Sequence, residues 1–343
     1  MSTRWAHLRR WLPGLALLAL TLMFARRVPW SDVWSGMRAA SLPMLGLAFV
    51  ANYIAVAART ALWWRFLCAI GITSVGLAIR AMIVGMALHC VLVGNAGEAG
   101  RVLLVMRSSG VRAGPIITSV VLERLAVSAG YLAVLVLAGT CLTLPAELQR
   151  WRIPAVVTLG LTVSLLTLLA RQSDSPRGAR MARPACAIRR GVRMLRSSVV
   201  RATAGGGALV LVALTAVNWI CQLVTFHWTA RAVGLPISIG GSAIAMLTVL
   251  ASGSIRATPA NVGVTQLVYV ATASMLGLSG QVALGAALLL QAIQTVPVVL
   301  AGLVVLPDLA TATRSRSRSC DQRTPPPESS STSGCALGIG LGR

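Results

Sequence analysis

The run ALVLVALTAVNWICQLV over Ala208–Val224 decides the fold, because it contains no charged residue. The run LPMLGLAFVANYIAVAARTAL over Leu42–Leu62 has the same character, with Arg59 as its single charge. A helix of about 20 such residues, rising ~1.5 Å per residue, crosses the hydrocarbon layer of a membrane. Similar apolar segments recur at Leu12–Ala25, Leu77–Val93, Ile116–Leu142, Ile153–Ala170, Ile239–Gly253, Val262–Leu276 and Val282–Leu306. The sequence therefore predicts an all-α, polytopic membrane helix bundle with about eight transmembrane segments.

The charge of the chain is sparse but strongly positive. Charged residues make up 11% of the sequence, and the net charge of +23 comes from arginine without any lysine. Soluble domains carry about a quarter charged residues. The arginines flank apolar segments, as the positive-inside rule describes, whereas nucleic-acid-binding proteins mix basic, polar and aromatic residues on a soluble fold. We therefore expect a multi-pass protein of the bacterial inner membrane, and no nucleic-acid partner.

Two arginine-rich regions set the expected orientation. Residues 171–201 contain nine arginines, and the tail over 311–343 combines Arg-Ser repeats with prolines and serines. We expect this loop and the C-terminus to lie in the cytoplasm, with residues 1–310 as the transmembrane domain and 311–343 as a disordered tail. Five apolar segments precede the loop, so a cytoplasmic N-terminus requires that one of the five does not cross the membrane. Leu77–Val93 is the candidate for a re-entrant element, because it leads into the glycine-rich run Gly94–Arg101.

The two halves of the transmembrane domain, at about 42–170 and 206–306, resemble each other in sequence. The motif Asn-Ala-Gly at 95–97 matches Asn-Val-Gly at 261–263. Further along, the correspondence pairs Gly110 with Gly277 and Arg124 with Gln291. Duplicated units with broken helices are a common construction of transporters, whose substrate site lies near the midplane at the repeat interface. The sequence therefore predicts an internal repeat.

Four ionisable residues lie within or beside the apolar segments of the first half: Glu98, Arg101, Glu123 and Arg124. A charge at mid-helix costs roughly 2.5–3.5 kcal/mol on insertion scales, so it faces the protein interior or water and has a partner. Adjacent helical residues point ~100° apart, so Glu123 and Arg124 cannot simply satisfy each other. Glu98 or Arg101 is the expected partner. The pattern leaves two interpretations, a buried ion pair that fixes the helices or a binding site for a polar substrate such as a lipid headgroup.

Other polar residues give weaker signals. Arg59 lies near a segment end, where an arginine snorkels to the membrane surface. Asn218 and Gln222, at i and i+4, are typical of contact between membrane helices. The lone histidines and the seven dispersed cysteines lack the spacing of a metal site. Because no catalytic or cofactor-binding motif is present, we expect no enzyme, no metal and no cofactor.

The run Gly94–Arg101, followed by Leu-Glu-Arg-Leu at 122–125, resembles the lysylphosphatidylglycerol synthase transmembrane-region family of flippase-like membrane proteins. The first motif of that family is a glycine-rich loop ending in Gly-Glu, with an arginine shortly after and Glu-Arg in the next helix. In the second half, the acid and the base of the family are replaced here by Gln266 and Gln291. The resemblance and the repeat together suggest the substrate-binding residues Asn95, Glu98, Arg101, Glu123, Arg124, Asn261, Gln266 and Gln291.

The resemblance implies that the chain handles lipids. The first hypothesis is translocation of a phospholipid or glycolipid, in which Arg101 and Arg124 attract an anionic headgroup and Glu98 and Glu123 orient them. The second is a non-catalytic accessory subunit of a glycolipid or polysaccharide pathway, and the third a lipid-modifying membrane enzyme. We expect no aminoacyl transfer, because a tail of about 30 residues has no room for a catalytic fold. The expected partners are membrane lipids, together with a second copy of the chain or a pathway protein.

Overall fold

The computed structural model describes residues 30–92, 95–141, 153–154, 157–158, 160–161, 196–253 and 258–321. All regular secondary structure within these ranges is helical, which confirms the all-α prediction. The predicted segment Leu12–Ala25, most of Ile153–Ala170 and most of the basic loop 171–201 lie outside the described residues.

The described part of the first half contains five helices, α1 (Trp30–Arg38), α2 (Leu42–Ala69), α3 (Val75–Val91), α4 (Ala96–Ser109) and α5 (Ala113–Cys141). In the second half, residues 196–203 are helical and lead into the remaining elements. These are a 3-10 turn (Ala204–Gly206), α6 (Gly207–Ala232), α7 (Ile239–Ser252), a second 3-10 turn (Pro259–Asn261), α8 (Val264–Met275) and α9 (Gly280–Asp321). A compact unit ends at Leu306, and Pro307–Arg343 form a separate unit.

Four helices of the described part are long and apolar enough to cross a membrane. They are α2, α5, the helix over Arg196–Ala232 that includes α6, and α9 over Gly280–Val305, with 28, 29, 37 and 26 residues. At ~1.5 Å per residue, each exceeds the ~30 Å of the hydrocarbon layer. The chain is therefore a multi-pass membrane helix bundle.

A pair of short helices lies between the long helices of each half. α3 and α4 have 17 and 14 residues, and α7 and α8 have 14 and 12. None of the four is long enough to cross ~30 Å of hydrocarbon alone. The expected broken element at Leu77–Val93 corresponds to α3. Ile239–Gly253 and Val262–Leu276, taken from hydropathy as full spans, are instead a second pair of short helices, separated by the turn at Pro259.

The same turn chemistry recurs in the two halves. α2 and α6 are each followed by a glycine with positive φ, Gly71 at +91° and Gly234 at +80°. A serine hydroxyl then caps the first turn of both α3 and α7. α4 and α8 are followed by Gly110 and Gly277, whose φ values are +73° and +72°. Only glycine adopts this left-handed conformation without steric cost, so the four positions mark equivalent turns.

α2 and α6 pack along each other in opposite directions. The backbone N–H of Ser41, just before α2, donates to the carbonyl of Ala232, the last residue of α6, at 2.9 Å. Slightly further along, the Thr225 hydroxyl donates to the carbonyl of Ala48 at 3.3 Å. At the other end, the last turns of α2 share a hydrophobic core with residues 196–203. The first long helices of the two halves are therefore antiparallel.

Small residues bring α3 and α4 close enough to position Arg101. A Cβ atom at Gly97 would overlap with the carbonyl oxygen of Gly85, and one at Gly100 would overlap with the Leu88 side chain. A Cβ at Gly85 would lie 2.9 Å from Cγ and Cδ of Arg101. Close approach through glycine is a common mode of helix contact in membranes. Here it lets the Arg101 side chain cross the α3–α4 contact.

Candidate functional site

The carboxylate of Glu123 is the centre of a charged cluster in the first half. Glu123 lies on α5, and its side chain is 0% exposed. Arg59 on α2 donates from Nε to one carboxylate oxygen at 2.6 Å, and Arg101 on α4 donates from Nη2 to the other at 3.0 Å. A buried carboxylate is strongly destabilising without partners, so the two arginines stabilise its charged form. One side chain of α5 thus joins α2, α4 and α5.

Arg101 is held by several groups and is only 3% exposed. Its guanidinium carbon lies 4.1 Å from the centre of the Trp63 ring, which is a cation–π contact. Trp63 is fixed in turn, because its indole N–H donates to the Ser119 hydroxyl at 3.1 Å. The Met82 sulfur lies 3.5 Å from Nη1 of Arg101. These contacts assign Arg101 a role in positioning the cluster.

A second ion pair joins Glu98 on α4 to Arg124 on α5. Glu98 lies in the first turn of α4, where the helix dipole favours a carboxylate. Its other oxygen lies 3.9 Å from Nε of Arg101, which links the two ion pairs. The adjacent residues Glu123 and Arg124 therefore have partners on other elements, as the geometry of a helix requires.

Arg59 and Arg124 are the accessible members of the cluster, with side chains 28% and 42% exposed. Both line two neighbouring cavities of about 290 and 470 Å³. The two cavities also share Met82, Met86 and Leu250, so they adjoin. The larger volume is within the range of small-molecule sites, roughly 300–1,000 Å³. The cluster therefore presents two guanidinium groups to these adjoining cavities.

The predicted residues of the second half hold a loop. Ala260 and Asn261 have φ values of +50° and +54°, which is uncommon for residues other than glycine. The Gln291 amide donates to the Ala260 carbonyl at 2.8 Å, and the Gln266 carbonyl oxygen accepts from the Gly263 N–H at 2.7 Å. Asn261 lines the smaller cavity, whereas neither glutamine lines either of the two cavities. The glutamines therefore support the loop that carries Asn261.

Four of the predicted site residues line the smaller cavity: Glu98, Arg101, Arg124 and Asn261. Glu123 is buried against Arg59 and Arg101, and Asn95 is exposed just before α4. Within the ranges that the structure describes, no group of three or more His, Cys, Asp or Glu side chains comes together. The chemistry that the geometry offers is anion binding by arginine.

A family model described as the lysylphosphatidylglycerol synthase TM region matches residues 11–302. The chain belongs to this family. The match includes three of the long helices, most of the fourth span and every residue of the charged cluster, and it confirms the resemblance seen in Gly94–Arg101. Membership implies a membrane protein related to lipid handling. A search of curated proteins found no sequence similar to this chain.

In this member of the lysylphosphatidylglycerol synthase TM region family, the importance of Arg59 was not evident from hydropathy. The expectation that Arg59 snorkels to the membrane surface is wrong, because its guanidinium binds the buried carboxylate of Glu123. The predicted internal repeat offers the signal for Arg59 that hydropathy does not. Arg59 lies 12 residues before Gly71, and Gln222, which also lines the larger cavity, lies 12 residues before Gly234. Equivalent positions of the two halves thus face the same space.

The second half of this family member has neutral groups where the first half has charges. Trp63 and Phe226 each lie eight residues before the equivalent positive-φ glycine, and Arg101 and Tyr269 are each the sixth residue of their helix, α4 or α8. Arg101 covers Trp63, and Tyr269 stacks on Phe226 with ring centroids 6.3 Å apart. A cation–π contact in one half thus corresponds to an aromatic pair in the other.

Proposed function

We propose that this protein binds an anionic lipid headgroup between the two halves of the bundle and moves the lipid across the bacterial inner membrane. The observation that carries the proposal is the pair Arg59 and Arg124, both partly exposed at a cavity inside a membrane bundle. A guanidinium has several N–H donors and binds phosphate alongside a carboxylate. The family description supports a lipid as the class of ligand.

The balance of charge also favours an anion. The cluster contains three arginines, Arg59, Arg101 and Arg124, against the two carboxylates of Glu98 and Glu123. In surroundings of low dielectric, an excess positive charge attracts an anion more strongly than it does in water. Among the described residues, no acidic side chain lines the larger cavity, so none repels an anion there. A headgroup with a single phosphodiester complements this charge.

The antiparallel directions of α2 and α6 support an inverted repeat as the basis of transport. In this arrangement the α3–α4 and α7–α8 pairs enter the membrane from opposite faces. The loop 171–201 and the C-terminus then share the cytoplasmic side, because α6 and α9 are the two spans between them. Transporters with inverted repeats bind their substrate near the midplane at the repeat interface. The larger cavity has lining residues from both halves, which agrees with such a site.

The proposal is tested by the scrambling of fluorescent phosphatidylglycerol in proteoliposomes. Arg124→Glu places a carboxylate beside Glu98 and removes an anion-binding group, so we expect the scrambling rate to fall to that of protein-free vesicles. The double variant Glu98→Gln/Arg124→Gln removes the ion pair without stranding a charge, and we expect the same loss in a folded protein. Arg80→Gln changes an exposed arginine of α3 outside the cluster, and we expect it to keep the wild-type rate.

If Arg124→Glu and the double variant fold and scramble lipid at the wild-type rate, the proposed site is wrong. Binding of phosphatidylglycerol without any scrambling by the wild type would favour an accessory role in a glycolipid or polysaccharide pathway. In that case a pathway protein or a second copy of the chain supplies the activity. A chemically altered lipid in the vesicles would indicate an enzyme in place of the non-catalytic role proposed here.

A further inference from the structure

The larger cavity is lined by a wall of carboxamide side chains as well as by its arginines. Asn52 comes from α2, Asn218 and Gln222 come from α6, and Gln294 comes from α9. Asn52 and Asn218 are buried to more than nine-tenths. Four neutral amides from three helices converge on this one space of about 470 Å³. We call these four residues the amide wall.

One polar atom of this wall has no protein partner in the described part of the chain. It is the side-chain carbonyl oxygen of Gln222, which is buried. The indole nitrogen of Trp219 also has no hydrogen-bond partner there, but it packs against Gly130 of α5. A buried donor or acceptor without a hydrogen bond costs about 1–3 kcal/mol. An unpartnered acceptor among carboxamides, which also carry N–H donors, matches a ligand group that both donates and accepts, which is the chemistry of a hydroxyl.

The cavity also has aromatic surface next to the amides. The rings of Tyr131 and Trp219 have centroids 5.7 Å apart, and both residues line the cavity. Flat aromatic faces accommodate the C–H groups of a polyol or sugar ring, while amides bind its hydroxyls. No carboxylate lines the larger cavity in the described part of the chain, so no anionic side chain of this cavity pairs with an ammonium group.

We propose that the amide wall binds the hydroxyl groups of an uncharged polyol or sugar attached to the phosphodiester. This inference rests on the proposed function, in which Arg59 and Arg124 bind the phosphodiester itself. The ligand class is therefore a monoanionic phospholipid with a polyhydroxylated headgroup. Lipids with an ammonium headgroup, or with no hydroxyls, bind more weakly. The amides thus determine specificity, and the arginines supply the attraction.

The alternative explanation is that Asn218 and Gln222 join helices, and α6 offers a residue that does so. Thr225 lies on the same helix, and its hydroxyl donates to the Ala48 carbonyl of α2. Thr225 does not line the cavity. Thr225→Val is therefore a matched control, since it removes a polar contact between helices and leaves the cavity unchanged. Gln222→Leu keeps a similar size and removes the hydrogen-bonding group from the cavity.

The experiment measures lipid binding to the full chain in phosphatidylcholine nanodiscs by native mass spectrometry. The probes are phosphatidylinositol, phosphatidylglycerol and phosphatidylethanol with identical acyl chains. All three are monoanionic phosphodiesters, and phosphatidylethanol lacks headgroup hydroxyls. We expect phosphatidylinositol or phosphatidylglycerol to bind about tenfold more tightly than phosphatidylethanol in the wild type, the effect of one or two hydrogen bonds. Gln222→Leu abolishes this preference, and Thr225→Val keeps it.

Each outcome has a definite meaning. A preference for phosphatidylinositol identifies a ring-shaped polyol, and a preference for phosphatidylglycerol identifies glycerol. Equal binding of all three lipids, with binding still lost in Arg124→Gln, overturns the amide wall and leaves the proposed function intact. Binding that is independent of Arg124 overturns the proposed function. If Gln222→Leu does not fold, Gln294→Leu on α9 tests the same preference from another helix.

Discussion

The two carboxylates of the charged cluster are both paired with arginine, yet burial makes their contributions to stability unequal. Glu123 is completely enclosed, and its two partners approach it from α2 and α4. Glu98 is 22% exposed, and its partner Arg124 is more exposed still. Removing one member of a buried ion pair strands the others, which costs about 3–5 kcal/mol. A partly exposed pair contributes about 0–1 kcal/mol. Glu123 therefore has a structural role that Glu98 does not share.

This difference can be measured. We expect Glu123→Gln to lower the free energy of unfolding by about 3–5 kcal/mol, because Arg59 and Arg101 lose the negative charge between them. Glu98→Gln, the matched variant of the exposed pair, lowers it by about 0–1 kcal/mol. Reversible unfolding of both variants in the same detergent gives the comparison. Equal destabilisation by the two substitutions would contradict this division of roles.

Part of the cluster was predictable from the sequence. A carboxylate and an arginine in consecutive positions cannot simply pair with each other on a helix, so Glu98 or Arg101 was the expected partner. Arg59 was not predictable in this way, because it is 64 residues from Glu123 and hydropathy does not indicate which helix faces meet. Gln222 was interpreted only as a contact between helices, and its place at the cavity was not predictable for the same reason.

At the scale of the helices, the α3–α4 pair depends on glycine. Gly97 is the second residue of α4, and Gly114 is the second residue of α5. A Cβ at Gly97 would overlap with the carbonyl oxygen of Gly85, a backbone atom that cannot rotate away. A Cβ at Gly114 would meet no atom within 4 Å. Alanine at Gly97 therefore tests the close packing of the two helices, whereas alanine at Gly114 tests helix propensity alone.

We expect Gly97→Ala to destabilise the protein by about 1–3 kcal/mol, because the added methyl group forces α3 and α4 apart. Gly114→Ala is expected to be neutral or to stabilise by up to about 1 kcal/mol, since alanine favours the helix. Melting temperatures in one detergent measure both effects. The variant at Gly97 also displaces Arg101, so it lowers phosphatidylglycerol scrambling, while Gly114→Ala does not. Similar melting temperatures for the two variants would argue against a tight α3–α4 contact.

Hydropathy predicted the long helices well, because a run of apolar residues that spans the membrane has few alternatives to a helix. It placed α7 and α8 close to their observed bounds but counted each of them as a full span. The turn that separates them contains Ala260 and Asn261 at positive φ, a conformation that asparagine tolerates but alanine does not indicate. The repeat was a better guide, since the glycines that end α4 and α8 were already matched in sequence.

For the whole molecule, the order of long and short helices determines which chain segments share a face of the membrane. Cys68 lies at the end of α2, Cys90 at the end of α3, and Cys141 at the end of α5. If α3 and α4 form a re-entrant pair, the chain returns to the face where α2 ended before α5 begins. Cys68 and Cys141 then lie on opposite faces of the membrane, and Cys90 lies within the membrane.

Native cysteines therefore report the topology in single-cysteine variants of the full chain. In spheroplasts, we expect a membrane-impermeant maleimide to label Cys141 directly and Cys68 only after permeabilisation. Cys320 in the arginine-rich tail serves as the cytoplasmic reference and should behave as Cys68 does. Cys90 is expected to resist the reagent on both sides and to react once the protein is denatured. Labelling of Cys90 in intact spheroplasts would mean that α3 reaches the outer face, and the re-entrant arrangement would then be wrong.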